Sequence, residues 1–352
     1  MPLLPPRFFA PLKGELAVLS LAAMGGALFA LTGAEAAWLS GSMLAVAAFG
    51  LIRPLPGLRK GWFEATMLLS GALIGSAATP EAVGAVARYP ASLAVLFLGL
   101  TAIIVATGAY LRYVGRWSWT DAILASAPGA LTAVIAVAHA KGADIGRISV
   151  IQLFRILVLV AFLPGLMQYG GTSEILAIRP AAIVSSLPET LLVLGCGVIG
   201  AKIFALLRIT APTILGATIA SAILHGTGLV EGNLPVLAQN AVLVMLGAVM
   251  GGRISTVKRS ELLMLFPLAL GGFVVSIGVA FAFAWPAALV AGVPYSTAML
   301  AFAPGGLEAM AMLAFTLGLD PLYVGAHHLA RFLGLGLAMP FLVGRRDPDR
   351  RA

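Results

Sequence analysis

Charged residues are scarce in this sequence. They account for 10% of its 352 residues, whereas hydrophobic residues account for 60%. Because soluble domains carry about 25% charged residues, this chain has too few to cover a surface that faces water. Apolar stretches long enough to cross a bilayer recur from Glu15 to Val343. The composition therefore excludes a soluble domain with a single anchor and predicts an all-α polytopic membrane protein in the lipid bilayer.

Cysteine and histidine are also rare. A single cysteine, Cys196, excludes a disulfide framework and a thiolate metal site. With only four histidines besides, a copper or di-iron oxygenase site would have few ligands. The sequence has no Walker lysine, no serine nucleophile elbow and no metal-spaced His/Cys cluster. We therefore expect no metal, no cofactor and no enzymatic activity.

The net charge of +8 has a simple explanation in a membrane protein. Lysine and arginine accumulate in cytoplasmic loops, so the excess indicates loop bias and not a nucleic-acid-binding surface. The first apolar segment, with its basic flank, would also fit a cleaved signal peptide. The rest of the chain argues against cleavage, because this segment has a counterpart near 191–206 in an internal duplication.

The duplication is visible at an offset of 176 positions. The stretch "APGALTAVIAVAHAKGADIGRISVIQLFR" (127–155) aligns without a gap with "APGGLEAMAMLAFTLGLDPLYVGAHHLAR" (303–331). Ten positions are identical, including the Pro-Gly pair, an aspartate and an arginine. The same offset pairs "GALIG" (71–75) with "GAVMG" (247–251), and an offset of 175 pairs "AAWLSG" (36–41) with "APTILG" (211–216). Such matches indicate two repeats of one ancestral unit.

Each half contains six apolar segments. Those of the first half are 15–32, 36–52, 62–78, 91–111, 119–140 and 147–168. Those of the second half are 187–206, 212–230, 235–252, 262–287, 295–317 and 321–343. The predicted organisation is a cytoplasmic N-terminal segment (1–14), a first membrane repeat (15–168), a linker (169–186), a second membrane repeat (187–344) and a basic cytoplasmic tail (345–352).

Positive charge decides how the fifth segment of each half is placed. If all twelve segments cross, the basic loop residues divide about 12 inside to 8 outside, which is a poor bias. If 119–140 and 295–317 are re-entrant hairpins, about 18 lie inside and only Arg88 and Arg179 lie outside. We therefore predict two inverted repeats, each with five transmembrane helices and one re-entrant Pro-Gly hairpin. This gives about ten transmembrane helices and two hairpins, with both termini cytoplasmic.

The hairpins predict where a ligand binds. Their breaks, "SAPGA" (126–130) and "FAPGG" (302–306), lie near the membrane midplane, where irregular backbone is tolerated only inside protein or beside a watery cavity. Two helix N-termini then point at the membrane centre and favour an anion. The predicted substrate-binding residues at the breaks are Pro128, Gly129, Ala130, Thr132, Pro304, Gly305 and Gly306.

Buried charge supplies further candidates. Arg155 and Arg331 lie about 15 Å inside their helices, and a guanidinium binds a carboxylate bidentately. The alternative is that they are structural arginines that satisfy hairpin carbonyls. The remaining predicted substrate-binding residues, one turn before these arginines, are Gln152 and His328.

The predicted coupling-ion residues are Glu308 and His327. An intramembrane carboxylate such as Glu308 is costly and so indicates function, although it also fits a first-turn glutamate that complements the helix dipole. Asp144 and Asp320 are instead predicted to be helix N-caps outside the site.

The doubled "APG(A/G)L…G-x-D…R" block, with "WLSG" and "GALIG", resembles the AbrB-type membrane proteins of Gram-negative bacteria. The resemblance covers nearly the whole chain. That family shares only a name with a small soluble DNA-binding transition-state regulator. Its members have been labelled ammonia monooxygenases, regulators of gene expression and transporters, and the residues here favour transport.

The sequence thus predicts a secondary active transporter in the bacterial inner membrane. Its substrate is expected to be a small organic solute, most simply a carboxylate, coupled to H⁺ or Na⁺ and bound between the two broken-helix hairpins. A membrane-embedded regulator or sensor that binds a ligand without moving it is the alternative, and a membrane monooxygenase is disfavoured. No nucleic acid is expected as a partner, and a homo-oligomer is compatible with the sequence.

Overall fold

The structure is a computed structural model that describes residues 12–34, 36–78, 89–129, 131–169, 184–207, 209 and 211–342. The described residues form helices and no strand, and a single isolated β-bridge pairs Val184 with Asn233. The prediction of an all-α protein is confirmed. The N-terminal segment 1–11, most of the linker and the tail lie outside the described residues.

The helices follow the predicted apolar segments closely. In the first half they are α1 (Leu12–Ala30), α2 (Ala37–Ile52), α3 (Lys60–Gly75), α4 (Tyr89–Tyr113), α5 (Trp119–Ser126), α6 (Leu131–Lys141) and α7 (Ile145–Tyr169). In the second half they are α8 (Leu187–Leu206), α9 (Pro212–Gly226), α10 (Val236–Ile254), α11 (Arg259–Ala291), α12 (Tyr295–Phe302), α13 (Leu307–Thr316) and α14 (Pro321–Leu342).

Six of the described helices are long and apolar enough to cross a membrane. They are α1, α4, α7, α8, α10 and α11. Three further apolar helices, α2, α9 and α13, are shorter. A membrane-embedded protein is therefore supported, while the count of ten crossings and two hairpins stays a prediction.

The fifth apolar segment of each half is broken where the sequence predicts. Pro128 and Gly129 separate α5 from α6, and Pro304 and Gly305 separate α12 from α13. Gly129 has φ of +84°, a conformation that glycine adopts readily and side-chain-bearing residues do not. The Asp144 N–H donates to the carboxylate of Asp121 at 3.1 Å, so the two ends of the α5–α6 segment lie side by side. The chain therefore turns back at the Pro-Gly break.

The helices that follow the two broken segments, α7 and α14, begin at aspartate caps. The Arg147 N–H donates to Asp144 at 3.1 Å, and the Leu322 N–H donates to Asp320 at 2.9 Å. Both contacts satisfy N–H groups that a helix leaves unpaired in its first turn. The prediction that these aspartates are N-caps is confirmed.

The chain forms two compact units, and each draws on both sequence halves. The first unit contains residues 1–86, 160–256 and 311–322. In it, α2 packs on α10 and, equivalently, α9 packs on α3. Glycines allow this close approach. A Cβ at Gly71 would lie 2.5 Å from the Ile214 carbonyl oxygen, and one at Gly247 would lie 2.8 Å from that of Leu39. Each "GAxxG" stretch therefore packs against a helix of the other half.

The second unit contains residues 87–159, 257–310 and 323–352. In this unit α4 packs along α11, with α5 against α4 and α12 against α11. Its core is a cluster of buried aliphatic and aromatic side chains that includes Leu124, Ile148 and Phe154. Both Pro-Gly breaks and both buried arginines belong to this unit, which is therefore where the predicted site is assembled.

Candidate functional site

Arg331 binds the broken segment of its own half. The side chain is 1% exposed. Its Nη1 donates to the Ala303 carbonyl at 2.8 Å, and its Nη2 donates to the Gly305 carbonyl at 2.6 Å. The same Nη2 lies 2.6 Å from Nδ1 of His328. Arg331 thus satisfies carbonyl groups that the helix break removes from the α-helical hydrogen-bond pattern.

Arg155 occupies the equivalent place in the first half, but more loosely. It is also buried, and its Nη1 and Nη2 lie 3.5 and 3.4 Å from the Ser126 and Ala127 carbonyl oxygens. These distances are at the outer limit of hydrogen bonding. Arg155 therefore contributes less to holding its hairpin than Arg331 does.

The Nε–H groups of both arginines are buried and have no hydrogen-bond partner among the described residues. Within the same residues no carboxylate lies at ion-pair distance from either guanidinium. The two cations also repel each other. Burial of an uncompensated charge costs several kcal/mol, so this arrangement favours an anionic ligand.

Gln152 and His328 make matching contacts one turn earlier on their helices. The Gln152 amide donates to the Leu124 carbonyl at 2.9 Å, and Nε2 of His328 lies 2.9 Å from the Leu300 carbonyl oxygen. Since a carbonyl only accepts, Nε2 of His328 carries the proton and Nδ1 accepts from Arg331. Both side chains hold the first arm of a hairpin. Direct contact of Gln152 or His328 with substrate stays a prediction.

The two Pro-Gly breaks come together at Arg331. A Cβ at Gly129 would lie 3.1 Å from Nε and 3.1 Å from Nη2 of Arg331, and 3.3 Å from the Gly305 carbonyl oxygen. The break of the first half therefore packs against the arginine that holds the break of the second half. Ala130 and the side chain of Thr132 lie outside the described residues.

Glu308 lies in the first turn of α13 and is partly exposed. Its Oε2 lies close to Gly306: a Cβ added to Gly306 would be 3.4 Å from this oxygen. The carboxylate makes no hydrogen bond or ion pair with the described residues, Arg331 included. Its position fits a first-turn glutamate beside the helix dipole, and its coupling role stays a prediction.

His327 faces a different set of groups from its neighbour His328. It is fully buried, with Nε2 2.8 Å from Oγ of Ser92 and Nδ1 2.8 Å from the Tyr323 carbonyl oxygen. Three aromatic rings surround the imidazole, with centroids at 4.0 Å (Tyr323), 6.0 Å (Phe302) and 6.1 Å (Tyr89). Sequence patterns do not reveal this cluster, because Tyr89 and Ser92 are more than 200 positions from His327.

Comparison with known proteins places the chain in a family. A family described as "Transition state regulatory protein AbrB" matches residues 38–345. The chain belongs to the AbrB family. The resemblance inferred from the "APG" blocks is therefore confirmed.

Two relatives align with almost the whole chain. "Uncharacterized protein YhjN" of Bacillus subtilis (strain 168) is 27% identical over 93% of this chain and 92% of its own length. "Putative regulator AbrB" of Escherichia coli (strain K12) is 27% identical over 93% of this chain and 94% of its own length. No solved structure matches the chain.

Proposed function

We propose that this AbrB-family protein is a secondary active transporter of a small organic anion, driven by H⁺ or Na⁺. The proposed architecture is two inverted repeats with five crossings and one re-entrant hairpin each, in the inner membrane with both termini cytoplasmic. Inverted repeats with broken helices at their interface are the general plan of many secondary transporters.

The lengths of the broken helices support re-entrant hairpins. Helices α5 and α12 have eight residues each, α6 has eleven and α13 has ten. At 1.5 Å per residue these arms are about 12–17 Å long, roughly half of a 30 Å hydrocarbon core. The contact between Asp121 and Asp144 supports a return of the first hairpin to the side from which it enters.

The buried arginine pair is the observation that carries the proposal of an anionic substrate. Arg155 and Arg331 bring two positive charges, each with an unpartnered Nε–H among the described residues, to the place where the two breaks meet. The first turns of α6 and α13 add N–H groups that have no intrahelical acceptor. Carboxylate oxygens would satisfy both sets of donors and neutralise the charge.

A regulator or sensor is the second candidate function, because the E. coli relative carries a regulator's name. A sensor would use the same arginines to bind an anion but would not carry it across the membrane. Transport and sensing therefore differ in one measurable property, which is net or exchange flux through the purified protein.

Counterflow in proteoliposomes is the test. A thermal-shift screen of carboxylates and amino acids first identifies a stabilising solute, and vesicles loaded with that solute should then accumulate its labelled form. Arg155→Ala should weaken binding by two orders of magnitude or more, because removing a buried charge partner costs about 3–5 kcal/mol. Arg147→Ala removes an exposed arginine from the same helix and should leave counterflow unchanged.

Arg155→Ala is preferred to Arg331→Ala for this test, since the longer contacts of Arg155 give it the smaller structural role. Arg331→Lys keeps the charge at the second position but loses the forked donor geometry, and it should also bind poorly. Stabilisation by a solute without any counterflow would support the sensor. Unchanged affinity in Arg155→Ala and Arg331→Lys would make both arginines purely structural.

A further inference from the structure

His327 and Ser92 form a chain of three short contacts that have few hydrogens to share. Its Nδ1 lies 2.8 Å from the Tyr323 carbonyl oxygen, and its Nε2 lies 2.8 Å from Oγ of Ser92. Oγ of Ser92 lies in turn 3.0 Å from the Tyr89 carbonyl oxygen. Both carbonyl oxygens can only accept, so the chain of contacts begins and ends at an acceptor.

Counting hydrogens distinguishes the two charge states of this imidazole. A neutral histidine and a serine hydroxyl supply two hydrogens for the three contacts, and an imidazolium and the hydroxyl supply three. With the imidazolium, Nδ1–H donates to Tyr323, Nε2–H donates to Ser92, and the hydroxyl donates to Tyr89. The protonated form therefore satisfies every contact.

The neutral form is also accommodated, at the cost of one weak bond. Nδ1–H still donates to the Tyr323 carbonyl, and the Ser92 hydroxyl turns from the Tyr89 carbonyl to donate to Nε2. Loss of the Nε2 proton and rotation of a single hydroxyl thus convert the protonated arrangement into the neutral one. A group that gains and loses a proton during a cycle needs two satisfied states of this kind, because an unsatisfied buried donor is costly.

Hydrogen bonds and aromatic rings partly offset the cost of burying a positive charge at His327. The rings of Tyr323, Phe302 and Tyr89 pack around the imidazole from α14, α12 and α4. Aromatic faces attract a positive charge through their quadrupole, most strongly where water is excluded. No carboxylate contacts His327 among the described residues, so the aromatic rings and the hydrogen bonds are the stabilising groups.

Among the described residues, the charged and titratable groups that face His327 are its helix neighbours and two phenols. Arg331 and His328 lie on α14, as does Tyr323, and Tyr89 lies on α4. The Arg331 charge opposes a second positive charge at His327. An anion bound to Arg331 would cancel that opposition, so anion and proton would favour each other's binding.

The duplication provides no second copy of this cluster, which joins His327 of the second half to Ser92 of the first. The position equivalent to His327 is Ile151, and the position equivalent to Ser92 is Leu268. By contrast, the position equivalent to His328 is Gln152, which makes the same contact with its own hairpin. The contact made by His328 is therefore shared by the two halves, and the chemistry at His327 is present in one only.

We propose that His327 binds the coupling proton, and that the proton and the anion at Arg331 bind cooperatively through the charge of Arg331. This inference rests on the proposed transport function and identifies its coupling ion as H⁺. In the empty carrier, burial and the Arg331 charge both disfavour protonation of His327. Anion binding removes the part of the penalty that comes from the Arg331 charge, so the two solutes load together and leave together.

The test is the pH dependence of anion affinity in the purified full-length protein. Lactate and methanesulfonate serve as probes because both stay ionised between about pH 5.5 and pH 7.5, the range over which a histidine titrates. Calorimetry should show affinity rising roughly tenfold toward the acidic end, within the usual range of coupling between two sites. His327→Gln should bind the same probe with an affinity that does not change with pH.

Two further variants separate the proton site from a structural effect. His328→Gln copies the residue that the first half uses at the equivalent position, so it should fold. Its anion affinity should change with pH in the same way as that of the wild type, even if the affinity itself is lower because His328 contacts Arg331. Ser92→Ala retains His327 but removes the oxygen that accepts from Nε2–H of the imidazolium. The protonated form is then less stable, so anion affinity should rise at a lower pH than in the wild type, and the anion should still bind.

Each outcome has a defined consequence. Persistence of the full pH dependence in His327→Gln, or its loss in His328→Gln alone, would overturn the assignment of the proton to His327. If His327→Gln does not fold, an unshifted profile in Ser92→Ala would overturn it. Anion binding by the wild type with no pH dependence would reject the coupling but leave the anion site intact. Failure of both probes to bind at any pH would count against the anion site and this inference together.

Discussion

Gly129 lies directly against the guanidinium of Arg331. The hairpin break of one half thereby contacts the arginine that holds the break of the other, with room for no side chain between them. A Cβ at this position would lie 3.1 Å from Nε, closer than most real Cβ contacts. The position also has φ of +84°. Conformation and space therefore both call for glycine here.

Gly129→Ala should lower counterflow at least about tenfold, which corresponds to 1.4 kcal/mol. The added methyl group would displace Nε of Arg331 and would also strain the backbone. Gly318→Ala is the matched control, since Gly318 has φ of +68° but no atom within 4 Å of its Cβ position. In Gly318→Ala the only expected cost is the backbone strain of the left-handed conformation, about 1–2 kcal/mol, without a steric clash. Equal loss of counterflow in both variants would mean that strain, and not the Arg331 contact, is what matters.

The proposed topology predicts which loops face the cytoplasm. Gly57→Cys and Thr256→Cys, made singly in a Cys196→Ser background, place an exposed thiol in the 53–60 loop and the 253–259 loop. Both should resist a membrane-impermeant thiol reagent in intact cells and react after the cells are opened. Reaction of Thr256→Cys from outside would favour twelve crossings and parallel repeats.

Close packing of the first unit predicts a contrast between adjacent glycines. A Cβ at Gly251 would lie 2.6 Å from the Met43 carbonyl oxygen and 2.8 Å from Cβ of Val46, whereas Gly252 has nothing within 4 Å. Gly251→Ala should therefore lower the Tm in detergent, with an overpacking cost of about 1–3 kcal/mol. Gly252→Ala should leave the Tm unchanged or raise it, because alanine favours a helix by up to about 1 kcal/mol. A lower Tm for Gly252→Ala than for Gly251→Ala would contradict the α2–α10 packing.

The sequence was informative where structure follows from local pattern. The Pro-Gly breaks and the Asp144 and Asp320 caps are set by residues close together in the chain, and each lies where it was predicted. The duplication also showed that Arg155 and Arg331 occupy equivalent positions in the two halves. In the structure the two arginines are buried beside their own breaks, as their depth in an apolar segment suggested.

Contacts between distant segments could not be read in the same way. Nothing in the sequence indicates that Ser92 meets His327, because the two residues belong to different halves and lie on different helices. The sequence also left open what the arginines contact. Arg331 uses Nη1 and Nη2 on hairpin carbonyls and keeps Nε apart, a division that depends on the exact position of the break.

The effect of Glu308→Gln on coupled transport depends on whether Glu308 or His327 carries the coupling ion. If His327 carries the proton, Glu308→Gln should still accumulate solute in response to a pH gradient, because the substitution removes only a first-turn charge worth about 0.3–1 kcal/mol of helix stability. The partial exposure of Glu308 and its lack of an ion pair among the described residues support this expectation. The measurement compares gradient-driven accumulation with solute exchange in the same proteoliposomes. Exchange without accumulation in Glu308→Gln would instead assign the coupling ion to Glu308, since exchange requires no net ion movement. In that case His327→Gln should accumulate solute normally.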